Sequence, residues 1–344
     1  MFLPKISIII PCRNEKNYIA ACLHSVIVND YPENQTEIIV IDGLSNDGTR
    51  DIIKSFQIKN KNIQLFDNPD KTVPFALNKG IENSSGDFII RVDAHCVYSP
   101  DYFSKLIEWQ QKTQADNIGG IWITRPGDNS NTAKAIAIAT SSAFGIGNAL
   151  YRLKSSEVKE VDTVPFGCYK REVFQKIGLF DEELTRNQDD EFNARLINSG
   201  GKIILVPQIE IDYYARKNIS QMSKMFYQYG LFKPLVNKKL GKPATIRQFA
   251  PPLFVLNIIL LPAFCILSKI LCILSLFFAT SYLILNLAIS LKLSILNNSW
   301  KLMFILLFVF PSIHFSYGIG YLKGIIKFVL FGQKVNVQKT TLSR

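Results

Sequence analysis

The sequence lacks acid where it is most apolar. From Tyr213 to Arg344 there is no Asp or Glu, against 16 Lys and Arg. Residues 1–212 therefore hold all 28 acids and the remaining 23 of 39 bases, a net charge of −5 in a chain whose total is +11. That distribution argues against nucleic-acid binding, because the bases lie outside the net-acidic amino-terminal part. It also divides the chain near residue 212 into two differently built halves. No GxGxxG follows the first apolar strand, and no GxxxxGK followed by Ser or Thr occurs anywhere. Dinucleotide-binding and P-loop readings thus lose their fingerprints. The six cysteines (12, 22, 96, 168, 265 and 272) form no CxxC pair, so reduced thiols in a cytoplasmic domain are expected. No secretory leader is expected either: "KISIII" (5–10) is too short for an h-region and runs straight into "PCRNE".

The acid-free half holds long uncharged runs. "FAPPLFVLNIILLPAFCIL" (249–267), "ILCILSLFFATSYLILNLAIS" (270–290) and "LMFILLFVFPSIHFSYGIGYL" (302–322) have 19, 21 and 21 residues without a charge. About 20 apolar residues cross a bilayer's hydrocarbon. The runs are separated at Lys269, Lys292 and Lys301, where a cation can snorkel to the interface. Membrane attachment is the expectation, and the absence of ionisable groups inside the runs argues against a transporter. Lys233, Lys238, Lys239, Lys242 and Arg247 precede the first run, which places the amino-terminal domain on the cytoplasmic side. The tail is basic too (Lys323, Lys327, Lys334, Lys339, Arg344). Three complete spans would put it outside, whereas two spans and a Pro-interrupted re-entrant segment would keep it inside. The expected organisation is a catalytic domain at 1–232, a basic juxtamembrane linker at 233–248, a membrane region of two or three helices at 249–330, and a basic tail at 331–344.

The first 212 residues alternate strand and helix. "KISIIIP" (5–11), "TEIIVID" (36–42), "NIQLFDN" (62–68) and "DFIIRVD" (87–93) read as strands, separated by helical spacing at 18–27, 46–56 and 74–84. "NIGGIWITRP" (117–126), a helix around 132–143, "DDEFNARLINSG" (189–200) and "KIILVP" (202–207) follow. Such alternation predicts one α/β domain with a mostly parallel sheet covered on both faces. Three strand ends then point to one rim, where open α/β sheets bind ligands. The first carries Pro11, Arg13 and Glu15, the second Asp42, and the fourth Asp93 and His95. Strand residues two apart share a face, so Asp93 and His95 are expected to point the same way. Both are competent ligands for Mg²⁺ or Mn²⁺, with His better suited to Mn²⁺. A diphosphate would be the natural partner of such an ion. The plainer alternative is that His95 only hydrogen-bonds its own loop.

The set "ISIIIPCRNE…EIIVIDGLSNDGT…ALNKGIENSSGDFIIRVDAH" resembles the family 2 glycosyltransferases with a GT-A fold. Within them the chain is similar to the succinoglycan-biosynthesis type of glucosyltransferase, over most of 5–232 and loosely in the membrane part. The resemblance implies that Pro11, Arg13, Glu15 and Asp42 hold the uridine end of a nucleotide-sugar donor. It places Asp93 and His95 at the family's metal-binding Asp-x-Asp position, with His in place of the second Asp. The family's Glu-Asp motif falls on Gln188-Asp189, making Asp189 the general base and Asp190 the runner-up. By residue type alone these acids equally suit a helix cap, with Asn187 three residues before Asp190. "VDTVPFGCYKREVFQKIG" (161–178) fits the acceptor-side loop, with Gly167 allowing close backbone approach. Gln228 matches an acceptor motif loosely within a stretch that reads equally as an interfacial helix.

The combined expectation is an inverting hexosyltransferase using a divalent metal. It would act from a UDP-sugar donor onto a lipid-linked saccharide acceptor in surface polysaccharide assembly, at the cytoplasmic face of a membrane. A nucleotide-binding membrane scaffold without catalysis is the alternative, and it would need no carboxylate at 93 or 189.

Overall fold

A computed structural model describes residues 3–153, 156–243 and 245–335. Positions 336–344 of the expected basic tail lie outside the described residues. In chain order the elements begin with β1 (Ile6–Cys12), α1 (Ile19–Ile27), β2 (Thr36–Asp42), α2 (Thr49–Lys59), β3 (Ile63–Asp67) and α3 (Val73–Glu82). Next come β4 (Phe88–Arg91), β5 (Cys96–Tyr98), α4 (Tyr102–Thr113), β6 (Asn117–Arg125), α5 (Asn131–Ala139) and α6 (Ala143–Ile146). After β7 (Lys159–Glu160), β8 (Cys168–Lys170), α7 (Arg171–Ile177), α8 (Gln188–Asn198) and β9 (Ile203–Tyr214), the rest is helical. Those helices are α9 (Ile219–Leu240), α10 (Ala250–Leu267), α11 (Lys269–Leu296) and α12 (Trp300–Gly324). The chain divides into two compact units, one of residues 1–123 and 150–213, the other of 124–149 and 214–334.

The first unit is built on one mixed sheet of order β3-β2-β1-β4-β8-β6-β9-β5, with β7 on β9. The first four strands are parallel, as the alternation predicts. Past β4 the ladder turns antiparallel, β4 pairing β8 and β8 pairing β6. The sequence reading finds the segments of β6 and β9 but misses β8 and with it this antiparallel pairing, because β8 is three residues long and shows no periodicity of its own. It also misses α4, although Tyr102, Phe103, Leu106, Ile107 and Gln110 form a buried stripe at helical spacing.

Alternation along β1 builds both sides of the core. Ile6, Ile8 and Ile10 join a cluster with α1 (Cys22, Leu23) and α4 (Phe103, Leu106). Ile9 faces the other way, toward α3 (Ala76, Leu77) and α8 (Phe192, Leu196). Each such isoleucine is fully buried and contributes roughly 1.5–3 kcal/mol. A helix-covered sheet fixes where β1, β2 and β4 end, and the site is made of those ends.

The second unit packs α12 against both α9 and α5: Ile136, Met222, Met225, Leu306, Val309 and Phe310 share one buried cluster. Farther along, α9 and α12 approach backbone to backbone. A Cβ on Gly230 would strike the Tyr317 carbonyl, and one on Gly320 the Tyr227 carbonyl. Among the described residues three helices are long and apolar enough to cross a membrane, at Ile246–Leu267, Lys269–Leu296 and Trp300–Leu330. Their large apolar side chains face outward, Phe277 and Ile284 each 69% exposed, as lipid-facing residues do. Polar pairs tie them together: Ser275 Oγ donates to Asn257 Oδ1 at 2.9 Å, and Tyr282 Oη lies 2.8 Å from His314 Nδ1. Cys265 and Cys272, which lie inside the apolar runs and not in the domain expected to hold reduced thiols, are disulfide-bonded. The break at Ser268 between α10 and α11 brings them together, and spacing alone does not reveal that turn. Cys12, Cys22, Cys96 and Cys168 are free and buried.

Gly320→Leu should force α9 and α12 apart at a cost of about 1–3 kcal/mol, read as a lower midpoint in thermal unfolding in detergent. An unchanged midpoint would contradict this packing.

Candidate active site

The ends of β1 and β2 lie side by side, with Cys12 opposite Asp42. The loops that follow are interlocked by their own polar groups. The Asn14 amide donates to Ser45 Oγ at 2.8 Å and the Asn46 amide to Asn14 Oδ1 at 3.1 Å. The Glu15 amide donates to Thr49 Oγ1 at 2.9 Å. Asn14 and Leu44 both sit in the left-handed region, at φ 54° and 56°, a local cost that the cross-loop bonds offset.

Asp42 anchors this arrangement from below. It is fully buried and accepts from the Ser45 amide (2.9 Å), Ser45 Oγ (2.5 Å) and Arg50 Nη1 (2.7 Å). Arg50 also reaches Asp67 at 2.7 Å. Both Asp42 oxygens thus serve the protein's own donors. Pro11 is half-buried in β1. Arg13 is exposed and lays its stem over Gly43, where a Cβ would come within 3.1 Å of it.

β4 ends at Arg91, so Asp93 and His95 stand in a turn closed by the Cys96 amide donating to the Asp93 carbonyl at 3.1 Å. They still converge, with Asp93 Oδ2 3.8 Å from His95 Nε2. The turn achieves what strand alternation was expected to do. Two ligands each about 2.1 Å from one ion lie up to about 4.2 Å apart, so the pair fits a divalent cation. On its other side His95 Nδ1 faces Glu15 Oε1 at 3.3 Å. A carboxylate behind the imidazole favours the tautomer that turns Nε2 toward a metal. Among the described residues no group of three or more His, Cys, Asp or Glu is arranged to hold an ion. Further ligands would then come from substrate oxygens and water.

Arg91 is the residue that sequence reasoning passed over. It is 9% exposed, and its guanidinium holds two carboxylates, Asp93 Oδ1 from Nε at 3.0 Å and Asp189 Oδ1 from Nη1 at 2.5 Å. The group also lies over the Phe166 ring, 5.8 Å from its centre. Its signal was visible: a lone cation within an apolar strand, two residues before the Asp.

Asp189, Asp190 and Glu191 lie in the first turn of α8. Asn187, at φ 61°, makes no side-chain cap, while the three acids do stand where the helix dipole favours them. Glu191 is held by Arg195, Nε to Oε1 at 2.8 Å. The Asp189 side chain stays 39% exposed. Partial burial raises its pKa, Asp93 and Asp190 push the same way, and Arg91 opposes them, leaving the carboxyl above its ordinary range. Gly167 accepts from the Arg91 amide at 3.2 Å, and a Cβ there would strike Asn117 and the Tyr169 ring. Its lack of a side chain therefore serves packing beneath the site. Gln228 is buried in α9, in the second unit.

A family model described as glycosyl transferase family 2 matches residues 7–178. The chain is 34% identical over 242 residues to a dolichyl N-acetyl-alpha-D-glucosaminyl phosphate 3-beta-D-2,3-diacetamido-2,3-dideoxy-beta-D-glucuronosyltransferase of Methanococcus voltae, covering 68% of this chain and 74% of the relative. It is 28% identical over 225 residues to the succinoglycan biosynthesis protein ExoA of Rhizobium meliloti, 65% and 67% of the two chains. Among solved structures it resembles the mannosyltransferase PcManGT of Pyrobaculum calidifontis in complex with GDP-Man and Mn²⁺, with a TM-score of 0.59, 15% identity and coverage of 93% and 88%. It also resembles a Staphylococcus aureus TarS fragment in complex with UDP-GlcNAc, with a TM-score of 0.52, 16% identity and coverage of 96% and 92%. The structural likeness is one of GT-A fold.

Asp42→Ala leaves the Ser45 donors and one arm of Arg50 without their acceptor. It should cost about 1–3 kcal/mol of stability by denaturant unfolding. An undisturbed midpoint would contradict the anchoring role.

Proposed function

The chain belongs to the family 2 glycosyltransferases, and we propose that it is an inverting hexosyltransferase acting from a UDP-sugar onto a lipid-linked saccharide in surface polysaccharide assembly. That it is a glycosyltransferase with membrane helices is the firm ground. Donor, acceptor and the cytoplasmic placement of the catalytic part (1–232) are the reading built on it. One observation carries the reading: Arg91 brings Asp93 and Asp189, expected from separate parts of the sequence, onto one guanidinium.

In this reading Asp93 and His95 would hold the divalent cation, Mn²⁺ or Mg²⁺, whose charge offsets that of the diphosphate and eases its departure. Glu15, at the nucleotide end of the rim, would also orient His95 through Nδ1. Arg13, exposed at the end of β1, meets the donor, while Pro11 and Asp42 shape the loops it lies against. Asp189 takes the proton of the acceptor hydroxyl as its oxygen attacks the anomeric carbon and the bond to the diphosphate breaks. A pKa above the ordinary carboxylate range makes Asp189 a better base at neutral pH. Asp190 stands one residue away as the second candidate. On the resemblance alone, the loop around Gly167 would serve the acceptor side, and Gln228 lies in the second unit. The membrane region (249–330) and the basic linker before it (233–248) would hold the enzyme at the surface where a lipid-linked acceptor resides.

Asp189→Asn should lower sugar transfer into extractable lipid by about 10²–10⁴-fold, with metal-dependent UDP binding retained. Asp190→Asn should change it far less, and the reverse order would exchange the two roles. Transfer requires ionised Asp189, so the wild-type rate should fall as pH drops through the raised pKa of that group. The acid limb should therefore lie above pH ~4, the ordinary carboxylate value. An acid limb at or below that value would contradict Asp189 as the base.

A further inference from the structure

We propose that Arg91 is a positioning residue that keeps the Asp189 carboxylate out of the metal's coordination sphere, so that one carboxylate serves the cation and the other the acceptor. The inference rests on the metal reading above and goes beyond it. A hard divalent cation gathers carboxylates wherever geometry allows. Here two of them reach the same guanidinium, at 3.0 and 2.5 Å. An ion held by Asp93 would draw Asp189 in as a further ligand and occupy the base. The guanidinium prevents this by supplying Asp189 with its own positive partner.

The geometry suits that task. Asp93 divides its oxygens, Oδ1 facing Arg91 and Oδ2 facing His95 Nε2 at 3.8 Å. It can therefore meet an ion through Oδ2 without leaving Arg91. Arg91 itself is fixed from three sides. Its backbone is registered against Ile9 and donates to the Gly167 carbonyl, and its guanidinium lies over the Phe166 ring. The planar fork sets the directions of its hydrogen bonds, which a lysine ammonium cannot reproduce for two partners at once.

The test is Mn²⁺ affinity of the full chain in detergent, by electron paramagnetic resonance with UDP present, for Arg91→Gln, Asp189→Asn and the double variant. Arg91→Gln should bind Mn²⁺ roughly 10-fold more tightly than wild type, because Asp189 joins the ion and affinity rises with the number of charged ligands. Asp189→Asn alone should bind as wild type, and adding it to Arg91→Gln should abolish the gain. Sugar transfer by Arg91→Gln should fall at least about 10²-fold in kcat with the donor KM little changed. A merely structural arginine would give weaker Mn²⁺ binding that Asp189→Asn does not correct. Unaltered or weaker binding by Arg91→Gln, or a gain that survives Asp189→Asn, would overturn the proposal. Should Arg91→Gln fail to fold, Arg91→Lys carries the same cycle, with a smaller gain that Asp189→Asn must still remove. Wild type that binds no Mn²⁺, or Asp93→Ala that binds it as wild type does, would instead sink the underlying metal reading.

Discussion

A single buried guanidinium sets the terms for the catalytic unit. An arginine only 9% exposed is costly to fold unless its charge is matched and its donors are used. Arg91 meets that demand with Asp93 and Asp189, and the fold must deliver both. Strand β4 therefore lies inside the sheet, between β1 and β8, with its end at the shared rim. The start of α8 must come down over that end. Beneath it the Gly167 backbone closes in on Asn117 and Tyr169 with no room for a side chain. The interaction that stabilises this corner thus also assembles the chemistry.

Around that centre the loops are preorganised rather than loose. Asp42 and Ser45 lock the turn after β2, and Asn14 ties it to the turn after β1. Glu15 and Asp93 flank His95. Charges aimed at a donor are useful only if their own supports are spent holding them still. The second unit obeys a different constraint. With no acid from Tyr213 onward, helices α9 to α12 carry no carboxylate with which to form ion pairs. They use backbone contact at Gly230 and Gly320 and a few polar pairs such as Asn257 with Ser275.

Much of this was legible from residue types. The isoleucine runs announce the parallel strands, the uncharged runs announce the membrane helices, and Asp93 with His95 marks the rim. What escaped notice has physical reasons. Periodicity treats Arg91 as an interruption of an apolar strand, since its partner Asp189 lies 98 residues away. A three-residue strand such as β8 takes its conformation from its neighbours. The left-handed backbone of Asn187, at the start of α8, has no mark in the spacing. Asp42 stands at the rim in sequence, and only the fold shows that Ser45 and Arg50 hold it there. The Cys265–Cys272 pair depends on a turn that hydropathy does not mark.

UDP titrated calorimetrically into the detergent-solubilised chain, with and without Mn²⁺ and for wild type against Asp93→Ala, addresses the site as a whole. Binding that requires Mn²⁺ in the wild type and disappears in Asp93→Ala is the expected result. Folded protein that binds neither UDP nor another nucleoside diphosphate, or a variant that binds as well as wild type, would contradict the assignment of this rim as a metal-assisted nucleotide-sugar site.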